Sequence, residues 1–166
     1  MASRADAAPA VAHVEYDERY WYPEDGGQVW IVGYQVVDPD SGRYLGRDAP
    51  ELAERGLRVL AVAGAGAHHA EALNSEGAAP GAALELRRDQ GNPHDPNAIA
   101  VHAEGGEQLG WVPRDVAAEL APELDAGSPY ASVVLREQRR SPRDPRHGLT
   151  MLVAAAPAIE LRELPG

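Results

Sequence analysis

The chain has 166 residues and no cysteine, and its 26 acidic residues outnumber its 15 basic ones for a net charge of −11. That length suits one domain with an extension, and the missing cysteine excludes a disulfide framework and a thiolate metal site. No apolar run approaches membrane-spanning length and Met1-Ala2-Ser3-Arg4 leads into no secretory hydrophobic segment, so a soluble, cytoplasmic protein is expected.

In chain order, residues 1–13 are Ala-rich and read as a disordered tail. Residues 14–56 read as an aromatic-rich extension. Tyr16, Tyr20, Trp21 and Tyr22 are broken off by Pro23-Glu24-Asp25-Gly26-Gly27, and Gln28 to Val37 alternates as a strand. Asp38-Pro39-Asp40-Ser41-Gly42 is a turn sequence, after which Arg43-Tyr44-Leu45-Gly46 is expected to return as the second strand of a hairpin. Pro50-Glu51-Leu52 opens a short helix that Gly56 ends. The aromatic residues have two readings: a strip that stacks bases or docks a partner, or packing that holds the extension onto the rest.

Leu57 to Ala63 reads as the first strand of residues 57–156, followed by a small-residue turn with His68 and His69. Leu84 and Leu86 alternate with Glu85 and Arg87, a half-buried strand, and Ala98-Ile99-Ala100-Val101 is the next. Between them, Asn92-Pro93-His94-Asp95-Pro96-Asn97 cannot continue either strand, because both prolines fix φ and lack a donor. The short side chains of Asn92, Asp95 and Asn97 bond back to nearby backbone, giving a rigid polar loop, the kind of segment that carries binding sites. A hairpin turns at Glu104-Gly105-Gly106-Glu107. Pro113 then opens a helix whose Val116, Leu120 and Leu124 form one apolar stripe, and Pro122 is expected to kink or split it. Tyr130 to Arg136 and Leu149 to Ala155 read as closing strands joined by a mobile loop from Arg139 to Gly148, and 157–166 as a C-terminal tail.

Charge is uneven along this plan. Residues 1–56 hold 11 acids and 5 arginines and residues 57–166 hold 15 acids and 10 arginines, so the two parts carry −6 and −5. Arg136 to Arg146 has five arginines against Glu137 and Asp144, a local +3 suited to a few phosphates. Broad coating of duplex DNA is not expected of so acidic a chain; it favours a pocket that grips one strand end, or no nucleic acid at all.

Arg88-Asp89, then Asn92-Pro93-His94-Asp95-Pro96-Asn97-Ala98-Ile99-Ala100-Val101, then Gly110-Trp111-Val112-Pro113-Arg114 together resemble the signature of the HIRAN domain family. With flanking strands the resemblance covers about Leu57 to Ala155 and leaves out the first fifty or so residues. It implies a small OB/SH3-like β-barrel; with the N-terminal β-hairpin read above as an appendage, the whole is expected to be mainly β with one or two short helices. It also implies a non-catalytic module that binds single-stranded DNA, notably a free 3′ end, without a cofactor. Such a module would act in repair, replication-fork processing or defence beside a helicase, nuclease or other DNA-processing protein. The alternative is a protein-interaction barrel that has lost DNA binding.

On that reading Asp95 accepts a hydrogen bond from a terminal 3′-hydroxyl, His94 and Trp111 offer faces for bases, and Arg88 and Arg114 meet backbone phosphates. Asn92 and Asn97 either brace the turn or touch the strand, and Trp111 is either a stacking face or core. Where the resemblance implies a basic and aromatic pair after the first strand, the loop here differs in length and only His68 and His69 offer anything comparable. His68, His69, His94, Asp95 and His102 show no metal-ligand spacing, and no Walker loop or serine elbow is present, so neither a metal nor catalysis is expected.

Overall fold

The computed structural model describes residues 8–22, 27–65 and 69–164. Residues 1–7 and 165–166 of the two expected tails, residues 23–26 of the break after Tyr22, and His68 lie outside the described residues.

Among the described residues, nine strands and three α-helices, with a 3-10 turn at Glu76–Ala78, follow the order β1 (Ala10–Trp21), β2 (Val29–Val36), α1 (Pro50–Glu54), β3 (Leu57–Ala61), α2 (Ala70–Leu73), β4 (Ala83–Arg88), β5 (Ile99–Ala103), β6 (Gln108–Trp111), α3 (Arg114–Asp125), β7 (Ala131–Arg139), β8 (Gly148–Ala154) and β9 (Ile159–Glu163). The fold is mainly β with short helices, as expected, with a curled, barrel-like sheet at its centre and an N-terminal hairpin beside it. One sheet path runs β6-β5-β4-β7-β2-β1-β9, and β8 joins β7 to β3 off that path. The barrel strands curl until β6 meets the chain just beyond β3. They join there by a single bridge rather than a ladder: Ala63 N–H donates to the Trp111 carbonyl at 2.8 Å, and Trp111 N–H to the Ala63 carbonyl at 2.9 Å. Gly110 makes this approach possible, since a Cβ there would lie 2.5 Å from the Ala63 oxygen and 2.6 Å from a Val62 methyl.

Inside the barrel, Val62, Leu84, Ile99, Val101, Leu109, Val134 and Met151 form the first core. Helix α3 closes it with fully buried Leu120 and Ala117, while Val116 and Leu124 pack partly buried beside them, so the predicted stripe faces the barrel. Pro122 does not split α3 into two elements. It lies in the last turn, where only one intrahelical donor is lost and packing holds the rest.

The extension differs most from expectation. β2 is present, but its partner is β1, paired from Val14 with Val36 to Trp21 with Val29. The segment expected to return, Arg43 to Gly46, makes only an isolated bridge, Tyr44 with Val37. Neither tail reading holds over the described residues: β1 starts at Ala10, and β9 runs parallel to it from Ala10–Ile159 to Val14–Glu163. Nor is the extension a mere appendage. Ala12, Val14, Val36, Leu45 and Leu52 share a second core with Leu57, Val59, Leu135 and Leu152 of the barrel. β7 carries the join, because its start pairs with β4 and its end with β2 along one edge. Gly33 sits where β2 meets β7, with φ +146 and no room for a Cβ against the Leu135 carbonyl.

The aromatic residues divide between their two readings. Tyr34 packs on the second core and edge-on against Tyr16, and the Arg139 guanidinium lies 5.9 Å from the centre of the Trp30 ring. Tyr16, Tyr20, Trp21, Tyr22 and Tyr44 remain exposed.

The loop from Arg139 to Gly148, expected to be mobile, is pinned. Arg146 donates to the Leu73 and Ser75 carbonyls, both at 2.8 Å, and to Glu137 at 2.7 Å, and its own N–H reaches the Asn74 side chain. Arg139 also binds Glu137 at 2.7 Å. Two of the five arginines in the expected +3 patch are thus turned inward on one buried carboxylate. A charge count along the chain does not reveal this, because the carboxylate and Arg146 meet across a hairpin.

Candidate nucleic-acid interface

The polar loop between β4 and β5 is built as a set of nested turns. Asn92 accepts the N–H groups of His94 and Asp95 on its Oδ1, at 2.9 and 3.1 Å, and donates to Asp89. Asp95 repeats the device, with Oδ1 accepting Asn97 N–H at 2.9 Å. The two asparagines therefore separate. The Asn92 side chain is used up in bracing, whereas Asn97 contributes its backbone and has no described hydrogen bond from its side chain.

Arg88 also turns out to be a brace. At the end of β4 its side chain is 14% exposed and makes four hydrogen bonds, two to Asp125 at the end of α3 and one each to the carbonyls of Pro96 and Ala98. With four of its five N–H donors satisfied, it is not free to hold a backbone phosphate. Its work is to tie the loop to α3. Hydrogen bonding by Arg88, helped by Gln90, holds the Asp125 carboxyl below its usual value against the opposing effect of desolvation. A carboxylate so lowered stabilises the fold above its unfolded pKa, and that contribution fades as pH falls through the folded value. Arg88→Met is therefore expected to cost about 2 kcal/mol at neutral pH through the lost bonds to the loop carbonyls. In paired urea titrations the gap from wild type should narrow below about pH 4; a gap constant with pH would show that the Asp125 contact contributes nothing.

Arg114, the first residue of α3, is open to solvent. Its side chain is 79% exposed, its Nε lies 3.9 Å from Asp95 Oδ2, and it donates to the His94 carbonyl at 3.3 Å. Asp95 is only 17% exposed, yet Oδ2 has no described partner nearer than that guanidinium. One carboxylate oxygen is thus locked by the loop and the other faces the rim. The His94 ring is exposed beside it.

Strand register decides the reading of Trp111. Ile99 and Val101 point into the core, so Ala100 and its partner Trp111 lie on the opposite face of the sheet, where Ala100 is covered and the indole is half-buried. The bridge places Ala63, just beyond β3, against Trp111, and His69 is the residue that precedes α2. The structure accordingly brings His94, Asp95, Asn97 and Arg114 together around one loop and sets Trp111 on the adjoining strand. Arg88 and Asn92 form the support beneath. Among the described residues no cluster of three or more potential metal ligands occurs, and no helix is long and apolar enough to cross a membrane.

Residues 57–149 match the model of the HIRAN domain. The chain is similar to the HIRAN domain of human HLTF in its crystal structure, with a TM-score of 0.44 and 24% identity over 60% of this chain and 76% of that one. It is also similar to a crystal structure of a protein from Lactobacillus plantarum, with a TM-score of 0.46 and 22% identity over 58% of this chain and 91% of that one. No curated protein matches the sequence. A match spanning more than half of the 166 residues, on a barrel carrying the motif loop at its rim, makes this chain a member of the HIRAN domain family of DNA-binding modules.

Proposed function

We propose that the chain is a non-catalytic module that binds the 3′-hydroxyl end of single-stranded DNA at the His94–Asn97 loop. The observation that carries the reading is the divided Asp95 carboxylate: Oδ1 is fixed by the loop, and Oδ2 stands at the rim without a short hydrogen bond. A terminal 3′-hydroxyl donates to such an oxygen. A 3′-phosphate has no proton to give at neutral pH and meets a like charge instead, and a continuing phosphodiester likewise has no hydroxyl there.

Arg114 supports this arrangement as a mobile cation for the preceding phosphate, and exposed His94 and half-buried Trp111 offer faces for the terminal bases. The site is small, which suits a protein of net charge −11 that cannot coat a duplex. A module of this kind serves DNA repair, fork processing or defence by delivering a helicase, nuclease or similar partner to a strand end.

Fluorescence anisotropy with two short oligonucleotides, identical but for a 3′-hydroxyl or a 3′-phosphate, tests the proposal. The hydroxyl form is expected to bind at least about tenfold more tightly, as one hydrogen bond to a charged group warrants. Equal affinities, or no binding at low salt, would rule it out. The exposed aromatic residues of the hairpin keep a protein-interaction role in view, and salt-independent capture of a protein that survives nuclease treatment would favour that role.

A further inference from the structure

A groove of about 380 Å³ lies between the barrel and the N-terminal hairpin, with Arg19, Arg47, Arg136, Trp21, Gln138 and His147 on its walls. None of its described lining residues is acidic, which is notable in a chain with 26 carboxylates. Arg19, Trp21 and Arg47 lie outside the matched residues 57–149, so this groove belongs to the chain's own architecture and not to the shared domain.

The floor of the groove crosses the sheet in two cross-strand rows offset by two residues along β7. Ala61 pairs with Thr150, Thr150 with Arg136, Gln138 with Ile31, and Ile31 with Arg19. Gln138 also donates to the Thr150 hydroxyl at 2.8 Å. Val62 points into the barrel core, so Ala61 and Ala63 share the outward face, and Ala63 is the bridge partner of Trp111. The floor is therefore continuous with the rim of the end-binding loop. From Trp111 to Arg19 it crosses five interstrand spacings, about 24 Å.

Arg136 gives the groove its character. Its guanidinium is half-buried, and its described bonds go to neutral oxygens only, the Tyr34 carbonyl at 2.9 Å and the Gln35 side chain at 3.1 Å, both from the same nitrogen. Three N–H donors have no partner among the described residues. Burial, then the like charges of Arg19 and Arg47, push its pKa down to about 10, with Asp17 opposing. The group still carries its charge at neutral pH, and this half-buried cation forms no direct ion pair among the described residues, with Asp17 as the opposite charge that acts on it from farther off. Asp17 lies 3.4 Å from Arg19 and is shared between it and Arg136, so one carboxylate faces the three arginines of the groove. Burial and Arg140 hold His147 below its ordinary pKa, which leaves the arginines as the source of charge. Beside them the exposed Trp21 indole presents a flat apolar face.

Guanidinium groups with free donors next to an aromatic face suit phosphate esters of nucleotides. We infer that this groove binds the phosphates and one base of the single strand that leads away from the 3′ end, so that the N-terminal hairpin extends the DNA track of the domain. This rests on the reading of the loop as an end-binding site. At one charge per about 3.4 Å of stacked strand, 24 Å spans about seven nucleotides.

The full chain is titrated by anisotropy with 5′-labelled oligothymidylates of about 3 and about 8 nucleotides, each with a 3′-hydroxyl, over a range of salt. Wild type should bind the longer one about tenfold more tightly and with a steeper salt dependence. Arg136→Gln, the double variant Arg19→Ser with Arg47→Ser, and Trp21→Ala should each lose most of that increment. Every phosphate contact removed should lower the salt slope by about 0.7. Arg19, Arg47 and Trp21 are exposed, so they carry the test if Arg136→Gln fails to fold. Variants that bind the longer strand as wild type does, or a wild type indifferent to length, would overturn the inference. So would thymidine monophosphate binding as tightly as the longer strand, since the groove would then be a free-nucleotide site. The 3′-phosphorylated long strand separates the two proposals. If wild type binds it as well as the hydroxyl form while the arginine variants lose affinity, the groove stands and the end-reading loop falls.

Discussion

Asp95→Ala should erase the difference in affinity between 3′-hydroxyl and 3′-phosphate strands, reducing a ten- to hundredfold ratio to about one. That range follows from the about 1.5–3 kcal/mol of a hydrogen bond to a charged acceptor. Both affinities contribute: the hydroxyl strand loses its acceptor, and the phosphate strand loses a repelling neighbour. Asp95 also holds the N–H of Asn97, so alanine removes a turn bond worth about 1 kcal/mol. Asp95→Asn separates the roles. It keeps an oxygen for Asn97 while giving up the charge, and should relieve the penalty on the phosphate strand with little change in melting. An unaltered ratio in Asp95→Ala, measured on protein shown to be folded by circular dichroism, would mean that another group reads the end.

The largest effect on stability is expected at Gly110. An alanine methyl there would press on the backbone oxygen of Ala63 at 2.5 Å and on Val62 at 2.6 Å, and backbone at a closure point cannot yield as the tip of a long side chain can. Relief requires β6 to move away from the end of β3, which sacrifices the two hydrogen bonds of the Ala63–Trp111 bridge. Overpacking costs about 1–3 kcal/mol and each lost bond about 1 kcal/mol, so Gly110→Ala should destabilise by about 3 kcal/mol and lower Tm by about 6–12 °C. Because Trp111 sits on the displaced strand, its surroundings should change as well, visible as a red shift in tryptophan emission. A melting curve within about 1 °C of wild type would show that the ring does not depend on this contact.

Parts of this picture were legible in the amino-acid order because their causes are local. The turns at Asn92 and Asp95 depend on residues two or three apart, and both form. The stripe of Val116, Leu120 and Leu124 depends on helical spacing alone, and it faces the core. What escaped depends on long-range pairing. β1 keeps its buried positions on Ala12 and Val14 and then alternates tyrosine with charge, a weak apolar signal that read partly as tail. β9 has only Ile159 and Leu161 to mark it. Arg88 looked like a phosphate ligand because a lone arginine beside a polar loop shows nothing of Asp125, 37 residues further on. Arg136 was counted within a +3 patch, but its partners lie about a hundred residues away in β2. That distance separates a surface charge from one held at the bottom of a groove.

The second core has a practical consequence for anyone preparing this protein. A fragment cut to residues 57–149 would strip β7 of its β2 neighbour, remove most of β8, and bare Leu57, Val59 and Leu135 to water. It would also offer an unpaired strand edge to other copies. Heating or urea should melt hairpin and barrel in a single transition, and soluble material should require both the first and the last described strands.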